Sequence, residues 1–167
     1  MPYHKVPNWT PENGLEVLTF GLGGETFALE AGIVREILDM MPVTMVPGAD
    51  PLAASVINFR GRIVPLADLR GAFGMEAQAN TADSRIIVIE LDVNGDPFLI
   101  GLTADRVNEV TVLHAGDSEE VPVIGMRWPR ENVRCLVRRG GDVVVLPDLT
   151  ALFSRLTDAA AETTTIH

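Results

Sequence analysis

Val56-Ile57-Asn58-Phe59-Arg60-Gly61-Arg62-Ile63-Val64-Pro65-Leu66-Ala67-Asp68-Leu69-Arg70 is the stretch from which the rest of the chain can be read. Two apolar, β-branched runs, Val56 to Phe59 and Ile63 to Leu66, flank Arg60, Gly61 and Arg62. Two such runs around a glycine-containing junction predict a tight bend or hairpin. Gly61 can take φ > 0, where a residue with a Cβ is strained. Pro65 has no amide donor, so its position must go unpaired, at an edge or a bulge. Held between Phe59 and Gly61, Arg60 points in a direction that the bend sets. Taken alone, the stretch is a hairpin carrying two solvated arginines.

Working outward toward the N-terminus, residues 1–13 are proline-rich and polar and are read as a flexible arm. Leu15, Val17, Leu18, Phe20 and Leu22, then Gly23-Gly24, then Phe27 and Leu29, predict a β-hairpin with a glycine turn. Ile33 to Leu38 and Val43 to Val46 are further short strands. Asp50 and Pro51 suit the N-cap and first position of a single helical turn. Toward the C-terminus, residues 74–83 are small and polar, the best candidate for a boundary.

Beyond it the pattern restarts. A shift of 71 residues carries Leu18, Phe20, Leu22, Gly24, Phe27 and Leu29 onto Ile89, Leu91, Val93, Gly95, Phe98 and Ile100. A shift of 73 carries Val34-Arg35-Glu36-Ile37 onto Val107-Asn108-Glu109-Val110, and a shift of 80 carries Ile63 to Leu69 onto Val143 to Leu149. Three matches in one order indicate an internal duplication. The growing shift places extra residues in the second half, within Thr111 to Asn132, read as a long loop. After Asp148 the period becomes helical: Leu149, Leu152, Phe153 and Leu156 form one apolar stripe, with Asp148 as its cap. The helix is expected over 148–158 and a disordered tail over 159–167. Two strand-rich halves of this kind predict two small barrels.

The composition narrows the function. The chain has 167 residues, 47% hydrophobic and only 5% aromatic, with a net charge of −10. That suffices for a packed core of aliphatic residues. Its charge repels a phosphate backbone, so no nucleic-acid partner is expected. No run approaches the ~20 apolar residues of a membrane span, so no membrane insertion is expected. Met1 to Pro11 has no apolar signal core. The single cysteine, Cys135, fits a reducing compartment, and the chain is read as cytoplasmic. With three histidines, at positions 4, 114 and 167, a histidine metal cluster or a Ser-His-Asp arrangement has little to draw on. Cys135 reads as a buried, inert thiol. Gly21 to Gly24 is no phosphate loop, since no Lys-Ser/Thr follows. No catalytic residue, metal or cofactor is therefore expected, and the chain reads as a binding module, not an enzyme. A small-molecule enzyme would need convergent polar groups in a pocket.

Asn58-Phe59-Arg60-Gly61, Ile63-Val64-Pro65 and Asp68-Leu69-Arg70 together resemble the Asn-Leu-Arg-Gly…Val-Pro…Asp-Leu-Arg signature of CheW-like domains, the adaptor modules of bacterial chemotaxis. The spacing matches without gaps, and the resemblance covers Leu15 to Leu156. It implies a mostly β fold of two five-stranded SH3-like barrel subdomains around a shared core, with a C-terminal helix. The domain is expected over 14–156, with subdomain 1 at about 14–80, subdomain 2 at about 81–147, and the chain ends interleaved. It implies a non-enzymatic adaptor coupling the cytoplasmic tip of transmembrane chemoreceptors to the regulatory domain of a CheA-type histidine kinase. Such an adaptor works at the inner face of the cytoplasmic membrane and is a monomer outside the receptor array. A related chemosensory pathway, controlling pili or development, is the alternative. By position, the family's receptor groove maps onto Val34, Glu36, Ser55, Asn58, Arg60, Ile86 and Val107, and its kinase-facing surface onto Val110. Ser55 and Cys135 stand where the family usually has glycine.

Overall fold

The computed structural model describes Trp9 and residues 14–93, 95–119, 128–154 and 156. Among them the strands are β1 (Leu15–Leu22), β2 (Glu25–Glu30), β3 (Val34–Asp39), β4 (Thr44–Met45), β5 (Ser55–Phe59), β6 (Arg62–Ala67), β7 (Arg85–Val93), β8 (Asp96–Ala104), β9 (Arg106–Leu113), β10 (Ser118–Glu119), β11 (Val133–Arg139) and β12 (Asp142–Pro147). Helix α1 covers 149–154 and 156.

The strands form two sheets, ordered β10-β11-β12-β2-β1-β9 and β3-β7-β8-β6-β5-β4. In each, five strands are full-length and the edge strand, β10 or β4, has two residues. The duplication explains both orders. Under the shifts of 71, 73 and 80 residues, β1, β2 and β3 correspond to β7, β8 and β9, and the hairpin β5–β6 to β11–β12. One sheet order then becomes the other with the halves exchanged. Each sheet takes its first hairpin from one half and its remaining strands from the other. The exchanges are sealed by short parallel pairings, Val144–Val145 against Thr26–Phe27 and Leu66–Ala67 against Gly101–Leu102. Single hydrogen bonds repeat too: the Asp68 amide donates to the Leu52 carbonyl at 3.1 Å, and the Asp148 amide to the Asn132 carbonyl at 2.8 Å.

The boundary expected at about residue 80, with interleaved chain ends, falls between two strands of one sheet. β6 and β7, on either side of residues 74–84, lie in one sheet. The sheets draw on residues 15–30 with 106–119 and 133–147, and on residues 34–67 with 85–104. Spacing along the chain reveals a turn but not which distant strand completes the sheet.

Three apolar clusters hold the fold. The largest draws on both sheets and α1, with Phe20, Phe27, Phe73, Ile87, Ile100, Leu152 and Phe153 among its members. Each sheet has a smaller cluster of its own. α1 buries Leu149, Leu152 and Phe153 in the shared core, and Leu156 packs at its margin. Asp148 caps it by accepting the Ala151 amide at 3.1 Å. The helical turn Pro51–Ala53 forms in the same way, with Asp50 accepting the Leu52 amide.

Two further expectations change. Trp9, assigned to the flexible arm, is 6% exposed and packs with Leu15, Val17 and Cys135. An indole gains too much from burial to stay in water. The rest of the arm lies outside the described residues, as do the tail at 159–167 and residues 120–127 of the expected long loop. The remainder of that loop is partly regular: residues 111–113 end β9, and β10 pairs with β11.

Candidate functional site

The hairpin read first in the sequence is β5–β6, paired from Ser55 opposite Leu66 to Phe59 opposite Arg62. Pro65 lies just before the parallel contact with β8 begins, where its missing N–H costs that pairing nothing. The two-residue turn is Arg60-Gly61, with φ of 52° and 78°. Positive φ at both positions is the type I′ geometry, whose twist matches the flanking strands. Among the described residues Arg60 is the only non-glycine with positive φ. The Asn58 side-chain oxygen accepts the Gly61 amide at 3.0 Å across the turn.

Edge strand β3 faces this turn. Its register with β7 shifts between Val34 and Glu36, an irregularity that bends an edge and re-aims its side chains. The side chains of β3 alternate: Val34, Glu36 and Leu38 are partly covered, while Arg35, Ile37 and Asp39 face out. Arg60 and Glu36 form an ion pair, the arginine side chain 71% exposed and the glutamate 31%. The Arg60 guanidinium lies over the Phe59 ring, 5.2 Å from its centroid, a cation–π contact. On the same sheet, Ile37 of β3, Met45 of β4 and Ile63 of β6 are exposed. These three exposed apolar side chains had no assignment in the sequence; alternation within β3 was the signal for Ile37.

The other assigned residues separate. Val34, Ser55 and Asn58 lie on the sheet of Glu36 and Arg60. Val107 and Val110 lie on β9 in the other sheet, Val107 half-buried against the shared core and Val110 59% exposed. Ile86 is a correction. It is fully buried with Ile57, Val64, Leu66 and Val88, so it is core and not an accessible groove wall. Ile86-Ile87-Val88-Ile89 is a continuous apolar run, the signature of a strand covered on both faces.

Elsewhere the charged groups hold the structure together. Arg70, 5% exposed, is ion-paired with Asp105 and, at 3.0 Å, with Asp68. Asp105 also accepts the Gly23 amide at 2.8 Å, so this arginine ties the β1–β2 turn to the end of β6. Cys135 is fully buried, and desolvation pushes its thiol up to about 12 despite the neighbouring Arg134. Burial raises the Glu30 carboxyl as well, against the pull of Arg134. Among the described residues no three His, Cys, Asp or Glu side chains gather where they could hold a metal ion. Among the same residues no helix is long and apolar enough to cross a membrane.

Fold and site together define a duplicated double-barrel module with exchanged hairpins and a charged pair at an edge strand. A family model for the CheW-like domain matches residues 16–157, and the chain belongs to that family. It is 29% identical to the chemotaxis protein CheW of Rhizobium meliloti strain 1021 over 140 residues, covering 84% of this chain and 88% of that one. It is 36% identical to protein PilI of Pseudomonas aeruginosa over 89 residues, 53% of this chain and 47% of PilI. The crystal structure of the scaffolding protein TtCheW from Thermoanaerobacter tengcongensis superposes with a TM-score of 0.74 at 26% identity, covering 84% of this chain and 88% of that one.

Proposed function

We propose that this protein is a non-enzymatic adaptor of chemotaxis-type signalling, which couples the cytoplasmic tip of a chemoreceptor to the regulatory domain of a CheA-type histidine kinase. Membership of the CheW-like family supports the reading, as do relatives that are chemotaxis proteins and a scaffolding protein. The observation that carries it is the Glu36–Arg60 pair on a sheet that also exposes Ile37, Met45 and Ile63. Exposed apolar side chains on the same sheet as an exposed, ion-paired arginine suit a protein partner, since arginine and apolar anchors contribute to interface energetics. The receptor tip is assigned to Val34, Glu36, Ser55, Arg60 and Val107, with Asn58 beside them in the turn. The kinase domain is assigned to β9 around Val110. The adaptor is a monomer outside the array and acts at the cytoplasmic face of the membrane, using no cofactor.

The similarity to PilI favours one variant, the same coupling role in a chemosensory pathway that controls pili. Co-purification from the native lysate, with partners identified by mass spectrometry, tests the proposal. Recovery of a chemoreceptor and a kinase supports it, and the output controlled by that kinase separates the two pathways. Recovery of neither contradicts it.

A further inference from the structure

The two halves of the chain build the same edge twice, and the comparison isolates what is peculiar to the first. In the second half, β9 repeats β3: the register shift falls between Glu109 and Val107, Glu109 takes the place of Glu36, and exposed Val110 that of Ile37. Glu109 also pairs with an arginine of the facing hairpin, Arg139, at 2.9 Å. That arginine is a strand residue, the last of β11, and the turn after it is Gly140-Gly141 with φ of 59° and 89°. The first-half turn has nearly the same φ values, yet places Arg60 where the second half has Gly140.

An ion pair across this edge therefore does not need an arginine in the turn. The left-handed conformation is unfavourable for any residue with a Cβ, and glycine takes it freely. Such strain concentrates where a site needs a side chain pre-set. Its consequence here is exposure. The Arg60 side chain is 71% exposed and that of Arg139 44%. Among the described residues Glu36 is the one hydrogen-bond acceptor of Arg60, against Glu109 and Thr111 for Arg139. The Phe59 ring supports the guanidinium from below.

We propose that Asn58 is a positioning residue. By accepting the Gly61 amide it locks the strained turn, so that Arg60 stands fixed between Phe59 and Glu36 with its remaining donors presented to acceptor oxygens on the partner. Asn58 acts through Arg60 and does not itself hold the partner. The assignment of that partner as a receptor tip rests on the adaptor reading; the positioning itself does not.

The test has one arm without a partner and one with it. In isolated protein, ¹⁵N relaxation of the Arg60 Nε–H reports its order. Wild type and Asn58→Asp, which keeps the acceptor, give an ordered Arg60, and Asn58→Ala gives a mobile one while the thermal midpoint stays within a few degrees. Equal order in Asn58→Ala and wild type overturns the proposal. In the second arm, a soluble fragment of a chemoreceptor cytoplasmic hairpin is titrated. Asn58→Ala weakens binding about tenfold, Asn58→Asp restores it, and Asn58→Ala has no further effect on an Arg60→Ala background. An additive loss in the double variant shows direct contact by Asn58 and overturns the positioning role. Absence of binding by wild type contradicts the adaptor reading and leaves the first arm to decide the positioning. Arg60→Gly should raise the thermal midpoint while losing receptor binding, because it removes the strain together with the donor.

Discussion

Replacing Phe153 by alanine tests whether α1 is part of the core. The ring is fully buried, on the same helix face as Leu149 and one residue from fully buried Leu152. All three belong to the cluster shared by both sheets. Phenylalanine-to-alanine changes in such sites cost about 3–5 kcal/mol, from lost transfer free energy and the cavity left behind. Domains of ordinary size have about 5–15 kcal/mol to lose. For a chain of this length each kcal/mol lowers the thermal midpoint by about 2–4 °C. Phe153→Ala is therefore expected to drop it by about 6–20 °C, by calorimetry or circular dichroism, with the transition still cooperative. Leu156→Ala, at the margin of the cluster, should cost clearly less. A midpoint within about 2 °C of wild type for Phe153→Ala, the behaviour of a surface substitution, would show that α1 is peripheral and refute the shared-core account.

Cys135 should resist alkylation by iodoacetamide at pH 8, since its thiol is buried and raised to about 12, and only the thiolate is nucleophilic; labelling should begin with unfolding, and rapid labelling of native protein would contradict the burial. Glu30 gives a pH effect of defined sign. Its folded-state carboxyl is raised from the ordinary 4.5 by burial, outweighing Arg134, so its contribution to stability is present below pH 4.5 and is lost as pH rises through the folded-state value. Glu30→Gln should remove that step from the midpoint-versus-pH profile, and an unchanged profile would show that Glu30 does not set it.

What the sequence made legible was local. The hairpin turns, the Asp50 and Asp148 caps and the α1 stripe depend on residues a few positions apart, and all formed as read. The duplication was legible because it repeats those local patterns. The exchange of hairpins left no pattern of its own, because β2 meets β12 and β6 meets β8 through short parallel pairings; only the resemblance implied interleaved chain ends. Glu36 and Arg60, 24 positions apart, were mapped to one groove by resemblance alone, and their ion pair, a contact across the fold, left no mark in the local pattern. Ile86 was misassigned by the same route, since a matching position carries no information on burial. Trp9 was missed because the prolines and polar residues around it outweighed a single large apolar side chain.

The central claim is that the Glu36–Arg60 edge holds the receptor while the kinase docks elsewhere. The direct measurement is Arg60→Ala, titrated in parallel with a receptor hairpin fragment and with the regulatory domain of the kinase. An exposed ion pair contributes only about 0.2–1 kcal/mol to folding, so the variant should remain folded with little change in midpoint. An interface arginine that matters costs more than about 1 kcal/mol when truncated, so receptor affinity should fall about tenfold, the equivalent of about 1.4 kcal/mol. Kinase-domain affinity should stay at the wild-type value. A folded Arg60→Ala protein that binds the receptor fragment as tightly as wild type would contradict the account.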